Sequence, residues 1–112
     1  MRNSSLDRMV EFAVERLAQD DSKGSRRLIK DMATSWPNEP ALGIAFAMTS
    51  AAATLEDVID SQASIRSSQL AYKLSALVAA DVFALQEMGN SPATGQDLLH
   101  FWRRVDPYFL NI

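Results

Sequence analysis

Apolar residues recur along this chain at the three- and four-residue spacing of helices. The densest stretch runs from Pro40 to Gly89, rich in alanine and aliphatic residues, and two long helices can be drawn through it. For much of their length neither has a properly polar side, which is the pattern of helices surrounded by neighbours. This pair is the expected centre of the fold, with the flanking segments packed onto it.

The flanks read as shorter amphipathic helices. Ser4 or Ser5 can cap the first, with Asp7 in its opening turn, where a negative charge suits the helix dipole. At about 100° per residue, Leu6, Val10, Ala13, Val14 and Leu17 share one face and Asp7, Arg8, Glu11, Glu15 and Gln19 the other. Phe12 projects on the polar side, between Arg8 and Arg16, and is a candidate subunit contact. Asp20 to Ser25 reads as a turn. A second helix follows from Ser25 to Trp36, burying Leu28, Ile29, Met32, Ala33 and Trp36 and stopped by Pro37.

Asn38 is the expected cap of the third helix. One arc of that helix holds Ile44, Met48, Ala51, Ala52, Leu55, Val58 and Ile59. The opposite side carries Leu42, Phe46 and Ala53, then Glu56, Asp57 and Asp60. Its N-terminal half is therefore expected to be buried on both sides, with Ala45, Ala52 and Ala53 letting neighbouring backbones approach closely. An uninterrupted helix from Pro40 to Met88 would be about 73 Å long, so a turn within 60–66 and an antiparallel hairpin are expected; a continuous helix in an intertwined dimer is the alternative.

The fourth helix carries a stripe of Leu70, Leu74, Leu77, Val78, Val82, Leu85 and Met88, with Tyr72, Ala79 and Phe83 as a lesser patch, and ends at Gly89. Thr94 and Asp97 have the spacing of a capping box for a fifth helix, 95–105, with Leu98, Leu99, Phe101, Trp102 and Val105 as its core face. Pro107 stops it. The apolar tail Tyr108-Phe109-Leu110-Asn111-Ile112 needs a groove, on its own subunit or on a partner. The fold class implied is all-α: a single domain, 1–112, forming a compact bundle of four to five helices around a central antiparallel helical hairpin.

Composition narrows the function more by exclusion than by indication. At 112 residues the chain can bury a core without a disulfide or metal staple. It has no cysteine, which excludes disulfides, thiolate catalysis and cysteine-based zinc sites. A formal net charge of −3 argues against nucleic acid as a partner. The N-terminal stretch alternates charged and apolar residues without a signal-peptide core. The longest apolar run, 41–48, falls short of the ~20 residues a membrane span needs. No membrane association is expected, and the cytoplasm is the expected location.

Among candidate chemistry, Asp81 is the most informative residue, because it lies inside the apolar stripe of the fourth helix. A carboxylate there requires a partner, and Arg26, Arg27, Arg103 and Arg104 are the candidates. The functional alternative is a polar anchor in an interhelical ligand pocket with Tyr72 and Trp102. Asp97-x-x-His100 has the spacing of a carboxylate-bridged metal element, but both residues lie on the polar side of their helix, and no metal or other cofactor is expected. Glu56, Asp57 and Asp60 form a solvated acidic edge. No phosphate loop, nucleophile elbow or catalytic pair is present, so the reading favours no enzyme.

The leading expectation is a non-enzymatic interaction or scaffold module, self-associating as a homodimer or binding another protein, with Phe12, Tyr108, Phe109, Leu110 and Ile112 as interface candidates. A small-molecule-binding or regulatory bundle with a pocket near Asp81 is the alternative. Helix-turn-helix DNA reading, through Gln96, His100, Arg103 and Arg104 on the fifth helix, is the weaker third.

Overall fold

The helical periodicity resolves, in a computed structural model that describes residues 4–19, 22–58, 62–89 and 92–111, into five α-helices. These are α1 (Ser4–Ala18), α2 (Ser22–Ser35), α3 (Ala41–Val58), α4 (Gln62–Glu87) and α5 (Gly95–Arg104), followed by a short 3₁₀ turn, Tyr108–Leu110. No strand occurs among the described residues. Buried side chains from all five helices join one core cluster. The fold is an all-α bundle.

Two boundaries differ from expectation. α2 begins at Ser22, so residues 22–25 are helical rather than part of a turn. Their N–H groups lie in the opening turn and need no intrahelical partner, so serine, common at helix starts, is compatible with helix there. α3 begins at Ala41, later than a cap at Asn38 implies. Its approach is held instead by the segment before α5: Ala41 N–H donates to the Ala93 carbonyl at 2.9 Å, Gly95 N–H to Glu39 at 3.0 Å and Gln96 N–H to Pro37 at 2.9 Å. These bonds clasp the α2–α3 connection against the α4–α5 connection. The start of α5 forms as expected: Thr94 and Asp97 make a reciprocal capping box. Gly89, just past α4, takes φ 89°, a conformation that favours glycine.

α3 and α4 are separate helices packed side by side, the most extensive pairing in the molecule, which excludes one continuous helix through both. Residues 59–61, where the expected hairpin break falls, lie outside the described ones, as does the acidic Asp60. Small side chains bring the two helices close: Ser75 Oγ reaches the Ala45 carbonyl at 2.8 Å and shares a 2.8 Å hydrogen bond with Thr49 Oγ1.

The molecule measures 42 × 36 × 20 Å. Packed helices lie about 8–10 Å apart, so the short dimension admits two layers. That geometry corrects the expectation that the first half of α3 is buried on both sides. Ile44 and Met48 are buried, but Leu42 and Phe46 face solvent, because no third layer covers them. Met88 and Val105, expected in apolar stripes, are also exposed. Each is the first residue past its helix, still hydrogen-bonded to the carbonyl four residues back, and the two line an open groove with Leu85 and Phe101 instead of entering the core.

Candidate functional site

α4 carries Asp81 along the margin of its buried stripe, next to Val82, and the capping box starts α5 in the register that brings Trp102 against it. Trp102 Nε1–H donates to Asp81 Oδ2 at 2.9 Å. The partner is thus an indole, not one of the expected arginines. Arg26, Arg27, Arg103 and Arg104 are all exposed, whereas the indole is fully buried and its N–H needs an acceptor. The Trp102 ring packs on Phe109 (centroids 5.0 Å apart), and Phe109 meets Tyr108 edge-on at 5.2 Å. A cavity of about 230 Å³ opens here, lined by Leu77, Ala80, Asp81, Asp106, Tyr108 and Phe109.

Burial holds the Asp81 carboxyl above the usual carboxylate range; the Trp102 hydrogen bond pulls it down, and the nearby Asp106 charge pushes it up further. The net rise means the folded chain keeps this proton to higher pH than the unfolded chain does. Stability from this group is therefore lost as pH rises from the unfolded value through the raised folded one. Asp81→Asn keeps an acceptor for the indole but cannot ionise. We expect its stability relative to the native chain to grow as pH is taken from about 4 to about 7, read by urea denaturation. A variant that loses ground over that range contradicts the assignment.

Tyr72 does not join Asp81 and Trp102. It lies about 13 Å back along α4, partly exposed, and donates from its hydroxyl to Glu56 Oε1 on α3 at 2.8 Å. That hydrogen bond, with smaller contributions from desolvation and from the charges of Glu56 and Asp57, holds the phenol above its ordinary value.

Most of the interface candidates fold back on their own chain. Phe12 is half-buried, edge-on to Trp36 at 5.6 Å and capped by the Arg16 guanidinium at 5.0 Å, which in turn pairs with Asp31 at 2.7 Å. The tail finds its groove within the molecule: Phe109 is buried, Leu110 packs against the core, and Tyr108 remains partly exposed. Ile112 lies outside the described residues.

The open apolar surface lies instead along α3 and α4. The Thr49–Ser75 hydrogen bond marks the seam between them. Ala45, Ala52, Ala71 and Val78 are buried on the core side of it. On the solvent side, Leu42, Phe46 and Ala53 lie within about 60° of Thr49 around α3, and Tyr72, Ala79 and Phe83 within about 80° of Ser75 around α4. Leu42, Phe46 and Phe83 are 57%, 54% and 63% exposed. The sequence signal for this face was the two-sided apolarity of the third helix and the lesser patch of the fourth.

Other chemistry does not converge. Among the described residues, no group of three or more His, Asp or Glu side chains is placed to hold a metal ion. The Asp97 carboxylate serves the capping box, and His100 is exposed on α5 with Gln96, Arg103 and Arg104. Comparison with protein-family models, with curated proteins and with solved structures returned no match.

Proposed function

We propose that the protein is a non-enzymatic helical interaction module that forms a homodimer through the solvent face of α3 and α4. The observation that carries this reading is the exposure of Leu42, Phe46 and Phe83 on one face of the two central helices. Contiguous apolar surface of this kind marks interaction sites. A second copy suits it because the face holds both bulky and small side chains along one seam. Phe46 and Phe83 stand beside Thr49, Ala53, Ala76 and Ala79, so a two-fold axis across the seam seats the rings of each copy over the small residues of the other. A strip two helices wide and as long as α3 is roughly 27 Å by 20 Å, of the order of the ~800 Å² per partner that specific interfaces bury.

The cytoplasmic setting belongs to the same proposal. By length and composition alone, Ile65–Glu87 of α4 is apolar enough to cross a membrane. However, this segment carries Arg66, Lys73 and Asp81. It also spends Ser75 and Asp81 on hydrogen bonds to α3 and α5, which favours a role as a core helix.

The experiment is a double substitution, Phe46→Glu with Phe83→Glu, read by sedimentation velocity and circular dichroism. Both positions are exposed in the monomer, so helix content is expected to hold while self-affinity falls by at least about 100-fold. Undiminished association of a folded double variant refutes the interface. A small-molecule-binding bundle is the second reading, favoured by the cavity beside Asp81 and compatible with dimerisation. DNA reading has less support, since α5 exposes two arginines, Arg103 and Arg104, and no lysine.

A further inference from the structure

We propose that the cavity between α4 and the C-terminal turn binds a compact organic cation, an ammonium group with small alkyl substituents. This rests on the small-molecule reading above and names its ligand class. The lining divides into two kinds of surface: Leu77, Ala80 and the rings of Tyr108 and Phe109 on one side, the carboxylates of Asp81 and Asp106 on the other. Among the described residues no basic side chain contributes to it. The two rings stand at 85° to each other, so they offer two walls of an aromatic corner. Asp81 spends one oxygen on Trp102, and among the described residues Asp106 accepts only the Tyr108 backbone N–H, at 3.2 Å. Among the described residues neither carboxylate has a basic partner within 4.0 Å.

Each part of that lining selects. Two like charges facing a half-enclosed space favour entry of a positive charge, and aromatic faces attract an ammonium and its polarised methyl groups. A bare divalent ion is poorly served, because calcium and magnesium require about six oxygen ligands and two walls of this cavity are rings. An anion is repelled. At about 230 Å³ the space accommodates a ligand of a few heavy atoms.

The test is a titration of the ¹⁵N-labelled full chain, followed by NMR, with three probes: choline, its uncharged isostere 3,3-dimethylbutan-1-ol, and potassium chloride. Choline is expected to shift the Trp102 indole N–H and the amides of Leu77, Ala80 and Phe109 saturably, and the other two probes are not. Asp106→Asn keeps the turn's acceptor yet should weaken choline about fivefold, and Tyr108→Leu about threefold. Both positions are solvent-exposed, so the fold tolerates the changes. If the isostere binds as tightly as choline, the pocket is real and the cation class is wrong. If neither shifts these resonances saturably, the pocket reading itself fails. If potassium chloride reproduces the choline shifts, the effect is charge screening and the proposal falls.

Discussion

Trp102→Ala is expected to lower the unfolding free energy by about 3–5 kcal/mol, the range for deleting a fully buried tryptophan. The indole is completely buried, closes over Phe109 and donates to Asp81. Its removal opens a large cavity, uncovers the ring that anchors the C-terminal turn, and leaves a half-buried carboxylate without its donor. A domain of this size has about 5–15 kcal/mol of stability in total, so the variant should stand close to unfolding. Urea denaturation followed by the fluorescence of the remaining tryptophan, Trp36, measures the loss. A cost below about 1 kcal/mol would show that the α4–α5 contact is not part of the cooperative core.

Gly95→Ala should be the other severe substitution, costing about 2–3 kcal/mol and lowering Tm by about 10 °C. Gly95 is the first residue of α5 and lies against the end of α2. A Cβ there would sit 2.6 Å from the Trp36 carbonyl oxygen, 3.2 Å from that of Ala33 and 3.3 Å from Pro37 Cα. All three are backbone atoms, so relief requires moving α5 away and breaking the Gly95–Glu39 and Gln96–Pro37 hydrogen bonds. Gly43 is the internal contrast. It lies inside α3, and a Cβ there meets only Leu6 Cδ1 at 3.7 Å and Met9 Cε at 3.8 Å, ordinary contacts. The same change at Gly43 should stabilise by about 0.5–1 kcal/mol, through better helix propensity. Thermal melts of the two variants side by side check both signs, and a neutral Gly95→Ala would contradict the tight α2–α5 junction.

The sequence made the helices legible because their signals are local. Gly89, the Thr94–Asp97 box and the apolar period each act within a few residues, and all reappear in the structure. What depends on neighbours was less accessible. The apolarity of Leu42 and Phe46 shows that the third helix has two faces to cover, but not how many layers the bundle provides. Asp81 stood out within its stripe, yet an indole and a guanidinium both donate to a carboxylate, and only the packing of α5 chooses between them. Phe12 reads as a stray exposed ring because its cover, Trp36, lies just past the end of the next helix. For Asp106 the sequence carries only a local hint, an acid and a proline followed by two aromatic residues, of a turn that brings charge and rings together. The close approach at Gly95 left no trace in the pattern at all, since a glycine at a helix start has ordinary local reasons to be there.

These observations converge on the surface more than on the core. A two-layer slab with three large apolar side chains over half exposed on its central helices is a fold with one side left to cover. Sedimentation equilibrium of the unmodified chain across micromolar concentrations addresses that claim most directly. A mass of twice the 12.4 kDa chain is expected, dissociating only on dilution. A single-chain mass throughout that range would contradict it.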